Sequence, residues 1–195
     1  MSERMKSEKF ATLVSLALSP QIYGGVVAYL LWREVRVGGV EAVAVLLLTQ
    51  TFLPLAPILV DAARRRIDIF VSDRRVRLKY YVLTIASYAL GAALCTLKNW
   101  YVYIPSFAAY AASAALLAVV NELAKWKISA HTAGITGPTT LLVYACGNHY
   151  TPLYLLVIPV FWARLRLGAH TVGQLVAGAI TAAATTAAVL SVWLQ

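Results

Sequence analysis

Cysteine, acidic side chains and charge of either sign are all scarce in this chain. Of 195 residues only 13% are charged, and eight acids face seventeen Lys and Arg. A soluble globular domain carries about 25% charged and roughly 45–50% apolar residues. Here 61% are hydrophobic and the mean hydropathy is +0.72, which excludes an ordinary soluble domain. The two cysteines, Cys95 and Cys146, both lie inside apolar runs; this excludes a disulfide framework and a cysteine-based zinc site. A net charge of +9 would suit a nucleic-acid partner if it were clustered. Spread thinly between long apolar runs, it is the signature of loops flanking membrane spans, and no nucleic-acid partner is expected. The opening "MSERMKSEKFATLVSLALSP" has a charged start and an apolar run but no small-x-small cleavage site. Hydrophobicity resumes after Pro20, so a retained first span is expected.

Hydrophobic runs are plentiful. A span needs about 20 apolar residues, with a range of roughly 17–25. Seven segments qualify, some of them short: Phe10–Trp32, Val40–Val60, Tyr80–Leu97, Tyr101–Leu123, Ala130–Gly147, Thr151–Trp162 and Thr171–Leu194. Gly134, Gly137 and Pro138 weaken the fifth, although membrane helices tolerate such residues where neighbours re-satisfy the backbone. No repeat or linker divides the chain. The expectation is a single all-α domain over residues 1–195, a multi-pass transmembrane bundle of six or seven spans.

The loops are unequal. By counting crossings, the N-terminal tail, "DAARRRIDIFVSDRRVRLK", "KWKIS" and "RLRLGAH" fall on one side with fourteen basic residues, against Arg33, Arg36 and Lys98 on the other. This asymmetry predicts that the basic side is cytoplasmic, in the plasma membrane of a prokaryotic cell. On that side lie three polar clusters: Asp68, Asp73, Arg74 and Arg77; Ser129 and His131; Arg164, Arg166, His170 and Gln174. Each is separated from the next by two spans, so the chain returns to the same face and the clusters can meet.

Their chemistry is that of an anion site. Arg74 and Arg77 share a helix face at i, i+3, and guanidinium forks match phosphate oxygens. Ser72 or Asp73 suits the N-cap of that helix, and Ser129 suits the N-cap of the fifth span. The N–H groups freed at the latter point at the loop, near Ala130. His131 sits in the first turn. His170 opens the seventh span with Gln174 one turn on and on the same face. Two imidazoles, several guanidiniums and helix N-termini, with no cluster of metal ligands, suit metal-free phosphoryl transfer. The blander reading is that Arg64, Arg65, Arg66, Lys125 and Lys127 set topology, that Arg166 snorkels, and that each histidine is an interfacial residue.

"ARLRLGAHTVGQLVAG" (163 to 178) resembles the third signature of the type 2 phosphatidic acid phosphatase superfamily: Ser-Arg, five residues, His, three residues, Asp, then a small-residue helix. "KISAHTAG" resembles its second signature, Ser-Gly-His, and "SDRRVR" stands where the first, Lys, six residues, Arg-Pro, belongs. The resemblance covers roughly residues 61 to 180 and implies an acid-phosphatase-like helical core. It further implies His170 as a nucleophile that forms a phosphohistidine and His131 as the acid that protonates the leaving oxygen. Arg164, Arg77 and Arg74 become phosphate ligands, joined by Ser129 and the backbone N–H near Ala130. No cofactor or metal is implied. The substrate would be a lipid phosphate or prenyl (di)phosphate among membrane lipids.

The chain departs from that pattern in several places. Phe70 stands where the first motif has lysine, Ala130 where the second has glycine, Ala163 where the third has serine, and Gln174 where it has aspartate. Two spans separate the first two motifs, which usually share a loop; members with DxxxxxRxxR and KxSxH patterns carry a similar variation. A Gln carbonyl can fix the tautomer of His170 but cannot stabilise positive charge on it, so a slower enzyme is expected, or a surrogate carboxylate from Asp68 or Asp73. Two alternatives stay open: a non-catalytic lipid-binding or scaffolding relative, and a lipid phosphotransferase. A transporter fits least, since no ionisable group lies mid-span. The "GAITAAATTAA" run permits close packing inside the molecule or in a homo-oligomer.

Overall fold

A computed structural model describes residues 3–193, and among these every regular element is helical. The chain runs through α1 (Glu3–Ala17), α2 (Pro20–Val35), α3 (Gly39–Leu47), a π turn (Leu48–Phe52) and α4 (Leu53–Ala63). It continues through α5 (Arg77–Leu97), α6 (Ile104–Glu122), α7 (Ala130–Cys146), a 3-10 stretch (Asn148–Leu156), α8 (Val157–Arg166) and α9 (Val172–Trp193). The end of the seventh expected span, Leu194, lies outside the described residues.

Four helical segments are long and apolar enough to cross a membrane: Gly39–Ala63, Arg74–Leu97, Tyr101–Glu122 and Val172–Trp193. A fifth arises if α1 and α2, bent by 43° at their junction, count as one span. Ser19 adopts an extended backbone before Pro20, which starts α2 as its first residue. A proline there lacks the N–H that would continue α1, and so it breaks the first span in two. The fifth and sixth expected segments form shorter helices. α7 has 17 residues, and the sixth divides into a 3-10 stretch and the 10-residue α8. Pro152 and Pro159 punctuate that region and deny it the donors of a continuous α ladder.

α7 is the axis of the site end. Its threonines hold it to α9: Thr132 Oγ1 donates to the Leu175 carbonyl at 2.8 Å and Thr136 Oγ1 to that of Ala179 at 2.7 Å. Gly178 permits this approach, because a Cβ there would lie 2.3 Å from the Ser129 carbonyl oxygen. On its other flank Tyr23 of α2 hydrogen-bonds Thr139 at 2.8 Å. A wide apolar cluster that includes Leu46, Tyr103, Phe107, Ile135 and Leu142 fills the far half of the bundle. Ser129, Thr132 and Gln174 come together at the other end, where α7 and α9 begin.

Candidate anion site

Three local structures deliver the polar groups. After α8, Gly168 takes a left-handed conformation at φ 60. Its N–H bonds the Leu165 carbonyl at 2.9 Å, and the N–H of Ala169 bonds that of Arg164 at 3.0 Å. This paired closure stops the helix and folds the chain back on itself. Arg164 and His170 therefore belong to one rigid turn, which is the physical content of their six-residue separation. Ser129 caps α7, its Oγ accepting from Thr132 N, and its own N–H bonds the Gln174 carbonyl at 3.2 Å. The loop before α7 is thus stitched to the start of α9. Arg77 opens α5 and is buried; its Nε donates to the Val71 carbonyl at 2.9 Å and its Nη1 to that of Ile128 at 3.1 Å.

Arg164 is the outlier. It is the largest fully buried side chain, at 0% exposure, yet Nε, Nη1 and Nη2 all lack a hydrogen-bond partner. An unpaired guanidinium away from water costs several kcal/mol, and three planar N–H donors of this kind suit an anion. His131, also buried, leaves Nε2 unpartnered, while its ring hydrogen-bonds the backbone of Ser15. Ser15 lies in the last turn of α1, whose terminal carbonyls have no helical partner. The end of α1 before the break at Pro20 therefore lies beside His131.

His170 Nδ1 lies 3.2 Å from the Lys127 carbonyl and 3.2 Å from Gln174 Oε1. Both oxygens are acceptors, which fixes the proton on Nδ1 and leaves the lone pair on Nε2. Burial pushes the His170 imidazole down to about 3, and the charges of Arg77, Arg164 and Lys127 act in the same direction, against the hydrogen bond that Nδ1 donates to Gln174. Lys127 is lowered too, first by burial and then by Arg77 and Arg164. Its Nζ donates to the Ala169 carbonyl at 3.0 Å, which adds a third cation beside the turn.

Arg77, Arg164, His131 and His170 thus gather within electrostatic reach of one another, and Ser129 and Ala130 start the helix that carries His131. Three expected participants are occupied elsewhere. Arg74 donates to the Asn121 carbonyl at 2.6 Å and receives from Asn121 Nδ2 at 3.1 Å, a clamp to the end of α6. Asp68 does not bond His170: it closes its own loop by accepting from Phe70 N, Ser72 N and Ser72 Oγ at 2.8 to 2.9 Å. Asp73 caps the short turn Arg74–Val76 and pairs with Arg75. Arg166 reaches back to Ser7 Oγ at 2.9 Å.

Two residues of the site lay outside the sequence reading. From the sequence Lys127 reads as a topology determinant, and Phe70 only as the place where the first motif has lysine. The Phe70 ring sits 4.8 Å from Arg164 Cζ and 5.8 Å, edge-on, from the His131 ring. Among the described residues no three His, Cys, Asp or Glu gather closely enough to hold a metal ion. Comparison with family profiles, with curated proteins and with solved structures gave no match.

Proposed function

We propose that the chain is an integral membrane phosphohydrolase that removes a phosphate or diphosphate from a lipid or prenyl carrier through a phosphohistidine on His170, as its resemblance to the type 2 phosphatidic acid phosphatases implies. The observation that carries the reading is the sealed, unpartnered guanidinium of Arg164 beside two imidazoles. Phosphate is the anion that three planar donors satisfy best. An apolar cavity of about 190 Å³ ends on Arg77 and His131 and is walled by Leu16, Ile22, Leu55 and Ile58, so a hydrocarbon tail can lie in it while the head reaches the cations.

In this reading the charge of the bound phosphate makes His131 an imidazolium; His170 Nε2 then attacks phosphorus, the P–O bond to the lipid breaks, and His131 passes its Nε2 proton to the departing oxygen. Water then attacks the phosphohistidine and gives its proton to His131; inorganic phosphate leaves. Arg164 and Arg77 hold the equatorial oxygens, where charge accumulates in the transition state. The six- or seven-span count and the cytoplasmic position of the site, with the N-terminus on the same side, belong to this proposal.

The purified protein should release phosphate from lipid phosphates with EDTA present and should be inhibited by vanadate. His170→Ala should lower kcat at least about a thousandfold, the usual scale for loss of a covalent nucleophile. Undiminished turnover in that variant would refute the mechanism. A second reading, a non-catalytic lipid-phosphate binder, draws on the amide of Gln174, where a carboxylate would have supported charge on His170. Phosphate binding without turnover by the wild type would select it.

A further inference from the structure

The groups that would grip phosphate are covered. Arg164 has no exposed surface, and neither its three nitrogens nor His131 Nε2 touch solvent or a hydrogen-bond partner. An anion reaches them only if something moves, and the contacts identify it. Phe70 lays its ring on Arg164 at 4.8 Å and meets His131 edge-on at 5.8 Å. The same ring lines the apolar cavity together with Ile69, Val71, Arg77 and His131. Phe70 therefore stands between the hydrocarbon-lined space and the buried guanidinium.

Its segment is held but strained. Asp68 accepts from Phe70 N and Ser72 N, and the Val71 carbonyl accepts from Arg77 Nε. Val71 itself sits at φ 49, a left-handed conformation that a β-branched residue adopts only under constraint. A segment held by hydrogen bonds at an unfavoured dihedral is suited to two arrangements.

We infer that Phe70 is a specificity-determining gate: in the empty protein its ring occupies the face of Arg164, and a tail entering the apolar cavity displaces it, so that lipid-borne phosphates gain the site and small water-soluble phosphates do not. The cavity meets the lipid-facing surface at Ile22 and Leu59, both exposed on the outside of the bundle, so a substrate can slide in from the bilayer. Its tail gains apolar contact where a soluble phosphate gains none, and only that differential binding can shift the ring. The inference rests on the anion site proposed above.

The test uses the full chain in lipid nanodiscs. It measures the affinity for inorganic phosphate by calorimetry, and kcat/KM for a lipid phosphate against p-nitrophenyl phosphate. If the ring covers Arg164 more than about nine-tenths of the time, its removal raises the apparent anion affinity at least about tenfold. Phe70→Ala should therefore bind phosphate about tenfold tighter and lose at least about tenfold of the preference for lipid over soluble substrate. Phe70→Leu keeps apolar bulk without the cation–π face and should tighten phosphate binding about two- to fivefold; it decides the question should the alanine variant fail to fold. Unchanged or weakened phosphate affinity in these variants, while Arg164→Ala abolishes binding, overturns the gate and leaves the anion site standing. Absence of phosphate binding to wild type and variants alike overturns both.

Discussion

At the scale of the residue, the orienting contact of His170 is the most informative chemistry. The Gln174 amide oxygen accepts from Nδ1 but brings no charge, and the surroundings of the ring are cationic: Arg77, Arg164 and Lys127 all disfavour its protonation. With the imidazole pushed down to about 3, His170 stays neutral from mildly acidic pH upward, and the acid limb of kcat/KM should not fall near 6.5 on its account. Gln174→Glu places a carboxylate where the amide oxygen lies. A negative charge favours the imidazolium, so the His170 titration should move up toward the ordinary histidine range. That move should bring an acid limb into the activity profile, with kcat raised above it because the carboxylate supports charge on the attacking ring. The chain has only three histidines, so NMR titration of the ring protons can follow the shift directly. A His170 titration that stays put in Gln174→Glu would show that the amide is not its partner in solution.

At the scale of the element, the site depends on α7 and α9 touching closely enough for Ser129 and Gln174 to share a hydrogen bond. Gly178 sets that distance. A Cβ there meets the Ser129 carbonyl oxygen at 2.3 Å, and a backbone atom cannot swing aside as a side chain can. Gly178→Ala should cost about 1–3 kcal/mol through overpacking and lower the melting temperature and the turnover together. Gly173→Ala, on the same helix with its nearest neighbour at 3.8 Å, is the matched control and should melt like the wild type. The helices were legible because hydrophobic runs of this length have few other uses, but counting seven crossings treated α7 and α8 as full spans, and only four segments, or five with the bent pair, are long and apolar enough to cross a membrane. The Ser129 cap and the contact between Gln174 and His170 were legible too, since both are local and obey helical spacing. What escaped notice was non-local. Periodicity does not reveal that Arg164 faces inward, that Arg74 turns to Asn121, or that a loop phenylalanine covers the guanidinium. Asp68 could have been found: an aspartate two and four residues before free N–H groups is the pattern of a self-closing turn.

At the scale of the whole molecule, charge and site lie at the same end. The sequence places fourteen basic residues in the tail and in the three loops that carry Arg77, His131, Arg164 and His170, against Arg33, Arg36 and Lys98 in the others. The positive-inside tendency acts on such short loops, so we expect the site to face the cytoplasm, where lipid phosphates are made and recycled. Arg65, exposed in the loop after α4, and Glu41, exposed near the start of α3, report on the two ends of a single 25-residue helical segment. At about 1.5 Å per residue that segment spans roughly 37 Å, enough to separate the two faces of a bilayer. Cys95 is buried and Cys146 partly so, and replacing both with alanine gives a silent background. In cells that express the chain, Glu41→Cys should react with an impermeant maleimide from outside. Arg65→Cys should react only once the membrane is opened. Labelling of Arg65→Cys on intact cells would turn the basic end outward, and the substrates to be tested would then be lipids of the outer leaflet.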